Sequence, residues 1–399
     1  MSSVATAFLV LVVASPVLLV AYAYALYPRL LSMRSSDDAR SAGVSASPAA
    51  RPANEVLPLV TVTLPAYNEE RRLAAALDAV LASDYPREKL HVVVVSDAST
   101  DATDEIARSY ADRGVELLRL PTRQGKTAGE NASRAVVRGS VVINTDASVR
   151  IAPGAIRALA SAFADPTVGV ASGHDISVSA DNAGRVQGEG SYVDFEMELR
   201  ARETAWYGIV GASGCLFAIR RELHAEHLPE MLSRDFASAL VAREHGYRAV
   251  SVPAAHVYVP RAGALSAEYR RKVRTMARGM RTLWFKRHLL NPFKYGFFAF
   301  ALWSHKVARW LVYPAAVLAL LALGVLAITL PWARLLLVAA LAGIALGAMA
   351  RRVVDSRSAG ALVRLAAFGY AANVAGLAAW WEFLKGSEMA VWEPTRRPG

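Results

Sequence analysis

The chain contains one cysteine, Cys215, in 399 residues. An intramolecular disulfide is therefore excluded, and no Cys/His cluster has the spacing of a zinc site. Cys215 sits among small residues and reads as a packed core residue rather than a nucleophile. There is no internal repeat, and no low-complexity tract outside one short linker. Acids are scarce beside bases: 34 Asp and Glu stand against 45 Lys and Arg, a net charge of +11. That balance calls for an anionic partner, either nucleic acid, a phosphorylated small molecule or the anionic inner leaflet of a membrane. At 54% hydrophobic and 20% charged residues, the chain is too apolar for an ordinary soluble protein and too charged for a bundle of membrane spans alone. A mixed protein is expected, with its main body in a reducing compartment, the cytosol, and disorder throughout is excluded.

Long hydrophobic runs, by contrast, are plentiful. Ala5 to Tyr27 carries no charge and is long enough to cross a hydrocarbon core of about 30 Å. A cleaved signal peptide is the rival reading, but the basic residues Arg29 and Arg34 follow the run instead of preceding it. By the positive-inside rule the next segment is cytosolic. Three more apolar blocks lie at about 310–330, 335–350 and 365–384, and Arg351, Arg352, Arg357 and Arg364 crowd the loop between the last two. The arrangement predicts a multi-pass protein of the inner (plasma) membrane, with one N-terminal and about three C-terminal helices. Membrane segments argue against nucleic acid as the partner. Trp303, Trp310, Trp380 and Trp381 either form an interfacial aromatic belt or line a passage between the helices.

The expected organisation is a transmembrane helix over 1–31, a Ser/Ala/Arg/Pro-rich linker over 32–57, a soluble body over 58–290, an interfacial helix over 291–308, and transmembrane helices with a tail over 309–399. His305, in Ser304-His305-Lys306, is expected at headgroup depth. The first half of the body alternates β-branched runs with helical patterns: Leu59–Leu64, a helix from Glu69, His91–Val95, a helix from Thr103, Val115–Leu120, a helix from Thr127, and Ser140–Asn144. Such alternation predicts an α/β fold with a parallel sheet and crossover helices. In open α/β sheets, ligands bind beyond the carboxyl ends of the strands.

Polar clusters follow those strands. Pro65-Ala66-Tyr67-Asn68-Glu69-Glu70 comes after the first and Ser96-Asp97-Ala98-Ser99-Thr100-Asp101 after the second. Helix capping by Asn68 and Ser99 explains each alone. A nucleotide pocket, with Asp97 bonded to ribose hydroxyls or a base imide, explains both together. Arg123-Gln124-Gly125-Lys126 precedes a helix and places a lysine and free N–H groups where a pyrophosphate could sit, a solvated basic loop being the alternative. Asn144-Thr145-Asp146-Ala147-Ser148 ends the fourth strand with a carboxylate able to hold a divalent cation. From Arg261 to Arg287 there are nine Lys or Arg and one acid, Glu268, read either as a juxtamembrane positive run or as a grip on a diphosphate.

The order of these motifs resembles the family 2 glycosyltransferases of GT-A (Rossmann-like) fold, especially the membrane-embedded branch of hyaluronan, cellulose and poly-N-acetylglucosamine synthases. The resemblance covers nearly the whole chain. It rests on the four clusters above together with Gly211-Ala212-Ser213-Gly214-Cys215, Ala218-Ile219-Arg220-Arg221, Arg234-Asp235-Phe236 and Gly246-Tyr247-Arg248. It implies that Pro65, Tyr67, Asn68, Glu69, Asp97 and Lys126 contact a nucleotide sugar, that Asp146 also binds Mg²⁺ or Mn²⁺, and that Asp235 is the catalytic base. Arg271 and Arg274 would match two basic positions that grip the leaving diphosphate. Three positions depart from the family pattern: Ser148 for the second metal carboxylate, Arg234 for the acid before the base, and Thr275 for a tryptophan associated with the acceptor end.

The expected activity is inverting transfer of a hexose or hexosamine from a nucleoside diphosphate sugar, UDP-linked, to a polysaccharide or lipid at the membrane, as in exopolysaccharide biosynthesis. Oligomerisation or separate export subunits are expected partners. The three departures fit an alternative, a catalytically degenerate nucleotide-sugar-binding subunit of a polysaccharide synthesis complex. A transporter would leave the large soluble body idle.

Overall fold

A computed structural model describes residues 2–33, 57–178, 189–260, 265–354 and 360–387. Most of the expected linker, and Arg34, Arg261 and Arg357, lie outside the described residues. The chain divides into two units, an α/β body and a set of apolar helices.

The body is built on eight strands: β1 (Val60–Ala66), β2 (Leu90–Ser96), β3 (Val115–Arg119), β4 (Val141–Thr145), β5 (Arg150–Ile151), β6 (Val168–Val178), β7 (Leu216–Arg220) and β8 (Arg248–Pro260). They form one sheet in the order β3-β2-β1-β4-β7-β6-β8-β5. The first four pair in parallel, β7 runs antiparallel to both β4 and β6, and β5 runs antiparallel to β8. β2 and β4 are wholly buried, as is nearly all of β1. This is why they read as continuous Val/Ile/Leu runs without alternation: a parallel sheet is covered on both faces.

The covering helices show the complementary pattern. In Leu73–Leu81 the buried residues are Leu73, Ala76, Leu77 and Val80, one face at helical spacing. They pack with Val62, Leu64, Val92, Ile143 and Ile156 in the main core. Each large aliphatic side chain buried there contributes about 1.5–3 kcal/mol relative to exposure. The helix expected from Glu69 begins only at Leu73; the Glu69 N–H donates to the Thr103 hydroxyl at 2.8 Å and its carbonyl accepts the Leu73 N–H at 2.9 Å.

Because β1 lies between β2 and β4 and all three run the same way, their carboxyl ends share one edge. The chain leaves β1 toward β2 on one side and reaches β4 on the other, which creates the crevice where such sheets bind ligands. Register at the entry to β4 depends on Gly139, with φ +76°, and on the Ser140 N–H bonded to the Leu59 carbonyl at 3.2 Å.

The second unit contains helices long and apolar enough to cross a membrane: Ser3–Ser32, Phe297–Ala327, Pro331–Val353 and Ala361–Leu384. The segment expected as an interfacial helix is divided differently. Pro292–Tyr295 is a short helix ending at Gly296, and Phe297 opens the long helix. Ser304-His305-Lys306 does not interrupt that helix, because a π-turn at Trp303–Val307 absorbs it and buries Ser304 and His305. A matching π-turn, Tyr22–Leu26, lies in the N-terminal helix, and Tyr22 and Ser304 hydroxyls meet at 2.7 Å. The Trp380 indole N–H donates to the Trp310 carbonyl at 2.9 Å, while Trp303 and Trp381 are exposed.

Gly139→Ala should destabilise the body by about 2 kcal/mol or more, since the left-handed backbone strains any Cβ and this one would lie 2.0 Å from the Leu59 carbonyl oxygen. Gly154→Ala, at a position with φ −85° and open space around it, should be neutral or mildly stabilising. Thermal unfolding of the detergent-purified variants checks the contrast; equal midpoints would contradict it.

Candidate active site

Each element of the shared edge brings one polar loop. After β1, Asn68 adopts φ +52°, which lets its Oδ1 accept the Thr100 N–H at 2.8 Å while its own N–H donates to the Ser99 hydroxyl at 3.2 Å. Asn tolerates this left-handed backbone better than most residues. The loops after β1 and β2 are thereby stitched together. Glu69 is buried and its carboxylate meets Arg72 at 3.5 Å. Pro65 is the next-to-last residue of β1, and the Arg123 guanidinium lies over the Tyr67 ring, 3.9 Å from its centroid.

Asp97 is nearly buried, and its two carboxylate oxygens accept the backbone N–H groups of Gln124 at 2.7 Å and Gly125 at 2.8 Å. Charge-assisted bonds of this length are worth roughly 1.5–3 kcal/mol each. They pin the loop that opens the Lys126–Ser133 helix, where Gly125 adopts φ +96°. The Lys126 ammonium then reaches Asp146 Oδ1 at 2.5 Å and the Gly214 carbonyl at 2.9 Å. Burial works against the charged form of Lys126, but the Asp146 carboxylate, with Glu130 and Asp235 behind it, outweighs this and holds the ammonium above its ordinary pKa.

Asp235 completes the group from the first turn of the Arg234–Glu244 helix. Its Oδ1 accepts the Ser233 hydroxyl at 2.6 Å, and a Cβ added to Gly214 would lie 3.0 Å from its Oδ2. The small residue at 214 thus lets the loop before β7 pass both Lys126 and Asp235. Cys215 contributes its carbonyl, which accepts the Thr145 hydroxyl at 3.0 Å, and its side chain packs against the core.

Arg234 points away from this group. It is 3% exposed, and its guanidinium donates to Asn131 Oδ1 at 2.8 Å and the His224 carbonyl at 2.6 Å. The residue that departs most sharply from the family pattern is therefore a structural strut behind the site. His224 beside it is wholly buried, with Nε2 at 3.1 Å from the Ser133 hydroxyl. Burial, then the charges of Arg234 and Arg134, press its pKa well below the usual histidine value.

Two residues belong to the site that the motifs did not single out. Arg278, in the Leu265–Phe285 helix, donates to the Thr127 hydroxyl at 3.0 Å, the Glu230 carbonyl at 3.1 Å and the Leu232 carbonyl. Burial lowers its pKa while Asp235 and Glu130 attract its charge. Arg271 and Arg274, in the preceding turns of this helix, group with the apolar helices in the other unit, where Arg271 pairs with Glu268 at 2.7 Å. The spacing 271, 274, 278, 281 was the available signal, since those positions share one helix face. Glu130 is the second addition: it is wholly buried, and neither carboxylate oxygen accepts a hydrogen bond.

Among the described residues no group of three or more His, Cys, Asp or Glu converges as a metal site. Asp146 offers one carboxylate and Ser148, nearly buried two residues on, a hydroxyl. That donor set fits Mg²⁺ or Mn²⁺ only in the manner of sites completed by substrate phosphates and water.

A family model described as glycosyl transferase family 2 matches residues 61–228. Those residues form a family 2 glycosyltransferase domain. The chain is 36% identical over 139 residues to an N-acetylglucosaminyltransferase of Rhizobium sp. (strain N33), a match covering 32% of this chain and 31% of that protein. It is 38% identical over 104 residues to the dolichyl-phosphate beta-glucosyltransferase ALG5A of Trichomonas vaginalis, covering 24% of this chain and 31% of that one. The chain spans about a third of the length of the curated relatives it matches. Among solved structures, the mannosyltransferase PcManGT from Pyrobaculum calidifontis, in complex with GDP-Man and Mn²⁺, superposes with TM-score 0.65 at 24% identity over 94% of this chain and 100% of that one. That likeness establishes the fold: a GT-A-like α/β domain with apolar helices at both ends of the chain. Within the family 2 domain lie Pro65, Tyr67, Asn68, Glu69, Asp97, Lys126 and Asp146; Asp235 follows its matched boundary by seven residues.

The buried His224 makes stability pH-dependent with a definite sign. As pH falls through the usual histidine value of about 6.5, the unfolded chain takes up a proton that the folded one refuses, so stability declines. His224→Gln should flatten that decline between about pH 7 and pH 5. Unfolding midpoints of both proteins across this range test it; parallel curves would contradict it.

Proposed function

We propose that this protein transfers a hexose or hexosamine, with inversion, from a nucleoside diphosphate sugar, a UDP-sugar, to a hydroxyl or phosphate oxygen of a membrane-associated polysaccharide or lipid. The observation that carries this reading is the meeting of Asp146, Lys126 and Asp235 at the strand-end crevice of a family 2 glycosyltransferase domain. The acceptor is lipid or lipid-linked on the reading that the apolar helices span a bilayer, and the name of the Trichomonas relative supports a lipid phosphate. The domain faces the cytosol of a plasma membrane, consistent with Arg29, Arg351, Arg352 and Arg364 at one set of helix ends.

In this mechanism the acceptor oxygen attacks the anomeric carbon opposite the diphosphate. A bond forms from that oxygen to the carbon, the bond from carbon to the diphosphate oxygen breaks, and Asp235 accepts the proton where the acceptor is a hydroxyl. The Ser233 hydroxyl holds the Asp235 carboxylate in orientation through its 2.6 Å bond. Tyr67, Asn68 and Asp97 surround the nucleoside, with Pro65 and Glu69 shaping the same loop. Lys126 and Arg278 supply positive charge beside the departing diphosphate. Mg²⁺ or Mn²⁺ at Asp146, when bound, supplies further neutralisation of diphosphate charge. Arg234, bonded elsewhere, leaves Asp235 to serve as the base.

Purified protein supplied with radiolabelled UDP-sugars and membrane acceptors tests the reading. Asp235→Asn should lower turnover by about 10²–10⁴-fold while nucleotide binding stays within a few fold. Near-normal turnover in that variant would remove Asp235 as the base. EDTA should abolish transfer and Mn²⁺ or Mg²⁺ restore it; full activity in chelator would assign the leaving group to the basic side chains alone. A degenerate binding subunit would bind the nucleotide and release no sugar under any of these conditions.

A further inference from the structure

Two observations stand unexplained by the transfer mechanism. The carboxylate that would hold a divalent cation is already occupied by a cation of the protein itself, Lys126, at 2.5 Å. One turn further along the same helix, Glu130 is wholly buried with both carboxylate oxygens unbonded. Buried carboxylates are ordinarily satisfied, and an orphan of this kind is costly unless a partner arrives in some state of the molecule.

The two observations fit each other. Residues 126 and 130 stand in i, i+4 relation on the Lys126–Ser133 helix, so their side chains emanate from neighbouring points of one face. Lysine is a compact charge on a flexible four-carbon stem and can turn about its anchor. The electrostatic field around Lys126 already includes Glu130 as an attractive group, second only to Asp146 among the charges. A divalent cation and an ammonium cannot both approach Asp146 closely without strong repulsion. Either the lysine leaves or the cation stays out. Arg234 and Arg278, the other cations that attract Glu130, spend their terminal nitrogens elsewhere, Arg234 on Asn131 and the His224 carbonyl, Arg278 on Thr127 and the Glu230 and Leu232 carbonyls. Lys126 is thus the cation that shares a helix face with the unbonded Glu130 carboxylate.

We propose that Lys126 is a resident counter-cation with two seats: Asp146 in the donor-free protein, and Glu130 when a divalent cation and a diphosphate take Asp146. This rests on the donor-site reading above and deepens it. Its consequence is that cation and nucleotide bind as a coupled pair, because the diphosphate provides the charge that makes displacement of Lys126 favourable. A lone cation meets a site already neutralised. Glu130 acts here as a positioning residue: it touches neither donor nor acceptor and works through Lys126.

The test is Mn²⁺ binding to the full-length protein in detergent, followed by the electron paramagnetic resonance signal of free Mn²⁺, with and without UDP. The wild type should bind Mn²⁺ alone weakly and at least tenfold more tightly with UDP. Lys126→Met should bind Mn²⁺ alone at least tenfold more tightly than the wild type. Glu130→Gln should weaken Mn²⁺ binding in the presence of UDP by at least fivefold and so shrink the gain in Mn²⁺ affinity that UDP confers, a loss of coupling that a purely structural role would not produce. Equal affinity of the wild type and Lys126→Met for Mn²⁺ alone would overturn the proposal, as would Glu130→Gln binding Mn²⁺ with UDP as tightly as the wild type. Either variant suffices if the other fails to fold, as judged by its unfolding transition. UDP binding measured separately by equilibrium dialysis keeps the two readings apart: its absence would overturn the donor site and this proposal together, whereas UDP binding with unchanged Mn²⁺ affinities in the variants would overturn only the two seats.

Discussion

The pair of bonds from the Asp97 carboxylate to the N–H groups of Gln124 and Gly125, at 2.7 and 2.8 Å, is the constraint on which the site depends. Asp97 directly follows β2, whereas the loop it holds lies beyond β3, so this contact crosses one strand interval of the sheet. It fixes the start of the Lys126–Ser133 helix, and with it the direction in which Lys126 leaves the backbone. Without that anchor nothing local would bring Lys126 to Asp146, which stands at the end of β4 on the far side of β1. The sheet order converts one side-chain contact into a site assembled from several loops.

Around that anchor the charges nearly cancel. Lys126 and Arg278 lie among Asp146, Asp235 and Glu130, and Arg234 balances Glu130 from behind. Burial raises the pKa of Glu130, while Lys126 and Arg234 pull the other way. A cluster so balanced is poorly suited to attract one small ion and well suited to accept a dianionic or trianionic group together with its counter-cation. The same logic explains why Arg234 is tolerated before the base. Asn131 and the His224 carbonyl hold its guanidinium behind the helix, so its charge serves Glu130 and leaves Asp235 in front.

Much of this was legible in the residues. The buried strands advertise themselves as apolar runs, the polar clusters follow them, and the parallel order places those clusters on one edge. The N-terminal helix and the later apolar blocks were equally plain from length and absence of charge. Three features were not. The orphaned carboxylate of Glu130 reads in the sequence as an ordinary polar position of a short helix, because only tertiary packing removes it from water. Arg278 was hidden in a run of basic residues whose members look alike until the helix face is set by packing. The persistence of the Phe297–Ala327 helix through Ser304-His305-Lys306 depends on a π-turn and a hydroxyl pair with Tyr22, both long-range facts that local polarity argues against.

The central claim, that the crevice at the ends of β1, β2 and β4 receives a nucleoside diphosphate, is tested most directly by photolabelling. A UDP-sugar carrying an azide on the base, activated on the purified protein and followed by peptide mapping, should mark peptides containing Tyr67–Glu69 or Asp97–Asp101, and excess UDP should suppress the label. Label confined to the apolar helices, or insensitive to excess UDP, would contradict the account.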